Sequence, residues 1–141
     1  MSTEANKQVV RRFYDEVMGQ GKTDVLDELM VENFIDHGEA LFGSEPGRQN
    51  LKNGVAYTQN IFPDFHVQLH QMIADGDMVG VVGTMTCTQQ GDFLGVPTSG
   101  NELTWKGIAM FRLENGKIAE RWFNSDSLSI ATQMGIVSLK M

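Results

Sequence analysis

Cysteine and positive charge are scarce here: the chain has one cysteine, and 11 basic side chains face 18 acidic ones. The lone Cys87 cannot close an intrachain disulfide, and without a second thiolate it builds no cysteine metal site. It reads as core packing in a reducing compartment, so a cytoplasmic location is expected. A formal charge of -7 repels phosphate backbones and anionic lipid, which excludes nucleic acid and acidic membranes as natural partners. Arg11 and Arg12 are too few to form a basic groove. No apolar run approaches the ~20 residues that cross a bilayer, and the opening residues MSTEANKQ are polar, so neither membrane insertion nor secretion is expected. The phosphate-loop, dinucleotide-fold and nucleophile-elbow signatures are absent.

What is present is one domain's worth of patterned sequence, with no repeat or linker across residues 1–141. Val9, Val10, Phe13, Tyr14, Val17 and Met18 recur at helical spacing until Gly19 and Gly21. Thr23 or Asp24 caps a second, short helix bearing Val25, Leu26, Leu29 and Met30, and Asn33 to His37 reads as a short strand or entry loop. A third helix is expected from Glu45 to before Pro63. The period then changes. Phe65, Val67 and Leu69 alternate with polar residues, and Met78 to Gln89, Leu103 to Leu113 and Ile118 to Asn124 read as further strands. Asp75-Gly76-Asp77 and Asn115-Gly116 mark hairpin turns, Gly91 to Gly100 a long loop that could close a pocket mouth, and Leu128 to Met134 a terminal helix ended by Gly135. Three helices followed by four long hairpin-linked strands predict an α+β fold, helices on one face of a curled antiparallel sheet.

Several stretches, in this order, resemble the SnoaL-like polyketide cyclase and ester cyclase family, within the superfamily of nuclear-transport-factor-2-like (NTF2-like) cones. They are Val10-Arg11-Arg12-Phe13-Tyr14, Phe34-Ile35-Asp36-His37, Phe62-Pro63-Asp64, Gly95 to Gly100, Trp105-Lys106-Gly107, Glu114 to Ile118, Glu120-Arg121-Trp122 and Asp126-Ser127-Leu128. The resemblance covers nearly the whole chain. It implies an NTF2-like cone with the N-terminal helices on the concave face of the sheet, a pocket for a small hydrophobic molecule, a homodimer formed through the sheet, and no metal or organic cofactor. Cyclases of this type close a ring by intramolecular aldol addition, with an aspartate near the end of the last long strand as acid and base; the matching position is Asp126.

Aldol closure needs a base beside a carbonyl and then an acid for the new alkoxide, and one carboxyl group serves both. Stepping back by twos from Asp126 gives Asn124, Trp122 and Glu120, so a persisting strand puts Asp126 on the face of Trp122; burial there would raise its pKa. The competing reading of Asp126 is the cap of the terminal helix. Of Asp36 and His37 only one is expected to face inward, and the resemblance favours His37, as an aid to Asp126. In the more distant ketosteroid isomerases an aspartate and a tyrosine in the places of Asp36 and Tyr14 act as base and oxyanion donor. The second acid of that oxyanion hole has no match here, so a hydrogen-bonded core tyrosine and a solvated aspartate are expected instead. Resemblance and alternation together give Asp126 and His37 as the expected catalytic residues and Tyr14, Phe34, Asp36, Trp105, Trp122 and Asn124 as the expected substrate-binding ones. His66 and His70, at a helical zinc spacing, fall on a strand ~13 Å apart and cannot share an ion. Two functions stay open: a cofactor-free acid–base enzyme (aldol cyclisation, isomerisation or dehydration) on a small hydrophobic carbonyl compound, or a non-catalytic cone for binding or dimerisation.

Overall fold

The protein is described from a computed structural model covering residues 2–38, 46–93, 95–98 and 100–140. Helix α1 (Thr3–Arg12) starts on Ser2, whose side-chain oxygen accepts from the Ala5 N–H and satisfies one of the free donors of the first turn. The helix then widens into a π-helical turn over Phe13–Met18, which buries Phe13, Tyr14 and Val17 together. Helix α2 (Leu26–Leu29) is a single turn, and α3 (Arg48–Ile61) stops before Pro63 as expected. The first residue expected of that third helix, Glu45, lies outside the described residues. Helix α4 (Ser127–Gln133) ends at Gly135, whose φ of 77° needs a residue without a Cβ.

Five strands form one sheet in the order β1-β5-β4-β3-β2: β1 (Met30–Asp36), β2 (His66–Asp75), β3 (Met78–Thr88), β4 (Glu102–Glu114) and β5 (Lys117–Ser125). The strands β2 to β5 pair antiparallel, and Asn115 and Gly116 both take positive φ in the β4–β5 turn, as an Asn-Gly hairpin requires. One correction concerns β1. It is a full strand and runs parallel to β5. Eighty residues separate the two, so no tight turn imposes the antiparallel direction; α3 and the rest of the sheet lie in between.

Burial alternates residue by residue along β3 and β4, so one face of the sheet is covered and the other open. The covered, inner face carries Val79, Val81, Met85, Cys87, Leu103, Trp105, Ala109 and Phe111, which pack against Val10, Phe13 and Val17 of the first helix. Irregular registers in β2, β4–β5 and β1 bend the sheet around this core. The outer face exposes Ile73, Ile108, Met110 and Trp122. Gly107, on the inner face, has no room for a side chain: a Cβ there would stand 2.8 Å from Met85 Cε and 3.2 Å from Ser125 Cβ. Helix α3 is fastened over β1 by Arg48, whose guanidinium donates to the Met30 carbonyl.

Candidate functional site

The parallel register sets Asp36 beside Arg121, and both point inward. Arg121 donates from Nη2 to Asp36 Oδ2 at 2.6 Å and from Nε to Oδ1 at 3.2 Å, a two-pronged grip. The Asp36 side chain is 7% exposed and that of Arg121 12%, so this is a pair held out of water. The expected solvated aspartate is therefore corrected: a partner on the neighbouring strand, invisible to local reading, draws it in. Asp36 Oδ1 also accepts from the Gly38 N–H.

Aromatic rings surround the pair. The guanidinium carbon lies 5.8 Å from the Phe13 ring centroid and 5.4 Å from that of Phe123, a cation resting on two π faces. Tyr14 meets Phe13 and Phe111 edge to face at 5.2 and 5.8 Å. Burial pushes the Tyr14 phenol well above its ordinary pKa, against an opposing pull from Arg121, so its proton stays on. Tyr14 is the core tyrosine expected, but among the described residues its hydroxyl has no hydrogen-bond partner. Phe34 is wholly buried and Trp105 nearly so, facing Phe65.

His37 takes the opposite side. Its ring stacks on Trp122 with centroids 5.0 Å apart, and Nε2 lies 2.6 Å from Glu120 Oε2, while Glu120 Oε1 accepts from Arg112. The inward placement expected for His37 is thus reversed with that of Asp36, because strand alternation allows only one of two neighbours to face the core. Trp122 and Asn124 lie on this same outer, exposed face and line no inner pocket. The inner face of β5 consists instead of Arg121, Phe123 and Ser125, paired with Phe111, Ala109 and Gly107.

Asp126 follows the last strand residue, where alternation no longer fixes a side chain's direction. It is exposed and caps α4, one carboxylate oxygen accepting from the Ser129 N–H at 3.0 Å. Among the described residues its other oxygen has no partner. Its own N–H donates to the Lys106 carbonyl, so its backbone is fixed to β4.

The β3–β4 loop is pinned from below by Gln89, whose polar side chain at the end of a strand carries no local signal of this role. Its buried amide nitrogen lies within hydrogen-bond distance of the Gly91, Val96 and Pro97 carbonyls. Phe93 from this loop packs on Phe62 with centroids 5.3 Å apart. Cys87 is buried, and burial pushes its thiol up to about 12. Among the described residues no three of His, Cys, Asp and Glu gather as metal ligands, and His70 bonds Thr84 on the strand beside it.

The family model for SnoaL-like polyketide cyclases matches residues 8–134. The chain belongs to the SnoaL-like polyketide cyclase family. Solved structures agree with this SnoaL-like protein along its whole length. TsrD from Streptomyces laurentii superposes with a TM-score of 0.86 at 22% identity, over 97% of this chain and 99% of that one. IdmH from Streptomyces antibioticus gives 0.81 at 24% identity, over 92% and 98%. A protein from Jannaschia sp. CCS1, described as a SnoaL-like polyketide cyclase, gives 0.82 at 28% identity, over 96% and 95%. The first two similarities bear on the fold, which is the NTF2-like cone. No curated protein sequence matches the SnoaL-like chain.

Proposed function

We propose that this SnoaL-like protein is a cofactor-free acid–base catalyst acting on a small hydrophobic carbonyl compound, with Asp126 as the proton-transfer group. The observation that carries the reading is the half-engaged Asp126 carboxylate, fixed by its backbone to β4 just beyond the end of β5. One oxygen is occupied by the α4 cap, and the other is open to a substrate proton. In a cyclisation the carboxylate removes a proton beside a carbonyl, and the resulting enolate carbon attacks a second carbonyl of the same molecule. The carboxylic acid so formed then protonates the new alkoxide, restoring the carboxylate. Isomerisation and dehydration use the same proton relay. Tyr14, Phe34 and Trp105 supply apolar walls on the inner face; His37 and Trp122 take no part.

One observation favours the second reading, a non-catalytic binding cone: Asp126 is exposed, and capping α4 is reason enough for an aspartate there. Asp126→Asn separates the two, because asparagine caps a helix as well as aspartate does but cannot relay a proton. Native mass spectrometry of the purified protein first identifies a co-purified small molecule to serve as substrate. Retained affinity with lost turnover supports catalysis. Unchanged turnover overturns the role of Asp126, and wild-type binding with no conversion supports the binding cone.

The protein is further proposed to work in the cytoplasm as a homodimer joined through the outer face, where Ile73 and Ile108 are 72% and 63% exposed. A mass of 15.7 kDa by size exclusion, that of one chain, would overturn the dimer.

A further inference from the structure

Arg121 is committed to Asp36 through Nε and Nη2 only. Its third nitrogen, Nη1, donates to no acceptor among the described residues. It is not among the buried polar atoms left without a partner, so this edge of the guanidinium stays accessible. The guanidinium is clamped on one edge and held between two aromatic rings, so its remaining edge has a fixed direction. Asp36 already balances the formal charge. What the free edge offers is therefore oriented hydrogen bonding to an oxygen that is neutral at rest and gains negative charge during reaction.

We propose that Arg121 binds a substrate carbonyl oxygen through Nη1, with Asp36 as the positioning residue that aims it. This inference rests on the proposed function for the ligand's place on the inner face.

The test uses 4-nitrophenol, whose phenolate oxygen mimics an enolate and absorbs in the visible, and 4-nitroanisole, which has nearly the same shape and cannot ionise. Wild-type protein is expected to bind the phenolate about tenfold more tightly than the anisole. Asp36→Asn removes the competing carboxylate and is expected to tighten phenolate binding further, by about tenfold. The double variant Asp36→Leu, Arg121→Met replaces the pair by apolar groups and is expected to abolish the preference while anisole still binds. Should either variant fail to fold, the Arg121 side-chain NMR signals of the wild type decide: they shift with phenolate if the anchor is real. Equal affinity for the two probes, no binding of either at millimolar concentration, or unmoved Arg121 signals with phenolate bound would each overturn the proposal. Asp126→Asn is expected to leave the probe ratio unchanged, so a protein that keeps the ratio but turns nothing over loses the proposed catalysis and keeps the anchor.

Discussion

Asp36 and Arg121 are 85 positions apart in the chain and meet at 2.6 Å, because β1 lies parallel to β5 in a register that sets the two side by side. The pair ties an edge strand to the core by charge as well as by backbone bonds. Removing one partner leaves the other charged and nearly dry, which typically costs several kcal/mol, whereas replacing both by apolar side chains is often close to neutral. Arg121→Met alone is therefore expected to destabilise the protein by about 3 kcal/mol. The double variant with Asp36→Leu is expected to regain most of the loss, with both read from denaturant midpoints. Additive losses would show that the two residues do not act as a pair.

Glu120 makes a prediction about acid. The bond to His37, and then the bond to Arg112, hold its carboxyl below the ordinary glutamate range. A carboxylate with a depressed folded pKa contributes stability above its unfolded pKa and loses it as pH falls through the folded one. The tie between the end of β1 and β5 is thus expected to weaken only once the pH falls below the ordinary glutamate range. Glu120→Gln should lower stability at neutral pH and flatten its decline in acid. An NMR titration of the Glu120 carboxyl with a midpoint above the ordinary glutamate value would contradict the assignment.

Gly107 tests how tightly the inner face is filled. An added methyl meets Met85 Cε, the movable end of a flexible chain, but also Ser125 Cβ, which is held in the paired strand β5. Gly107→Ala is expected to cost about 1–3 kcal/mol, the usual range for overpacking, in urea unfolding. A neutral result would mean that Met85 and β5 yield freely.

Asn6 is 3% exposed, and its Oδ1 is buried with no partner among the described residues. It borders a cavity of about 120 Å³ between the hairpin tips at Asp77 and Asn115. Removing a buried acceptor that bonds nothing relieves its desolvation cost, so Asn6→Leu is expected to stabilise the fold by about 1 kcal/mol. Destabilisation would instead mean that ordered water in the cavity satisfies the amide.

The sequence by itself determined the first and third helices and the four long strands, where the hairpins turn, and that the chain makes a mixed α+β fold of the SnoaL-like kind. These are written in local periods: 3.6 in Val9 to Met18, two in β3 and β4, and the Asn-Gly turn. Tyr14 and Phe34 were legible as apolar, inward residues for the same reason. Only the tertiary structure decided the direction of β1 and which of Asp36 and His37 turns inward. It also fixed the face of β5 that lines the core, and so replaced Trp122 and Asn124 by Arg121 and Phe123. The physical reason is that alternation along a strand assigns residues to two faces without saying which face is covered. That choice depends on where the first helix packs and on a partner 85 positions away. Arg121 could have been suspected from sequence as a lone cation two residues before Phe123, but its carboxylate was fixed only once β1 and β5 lay side by side.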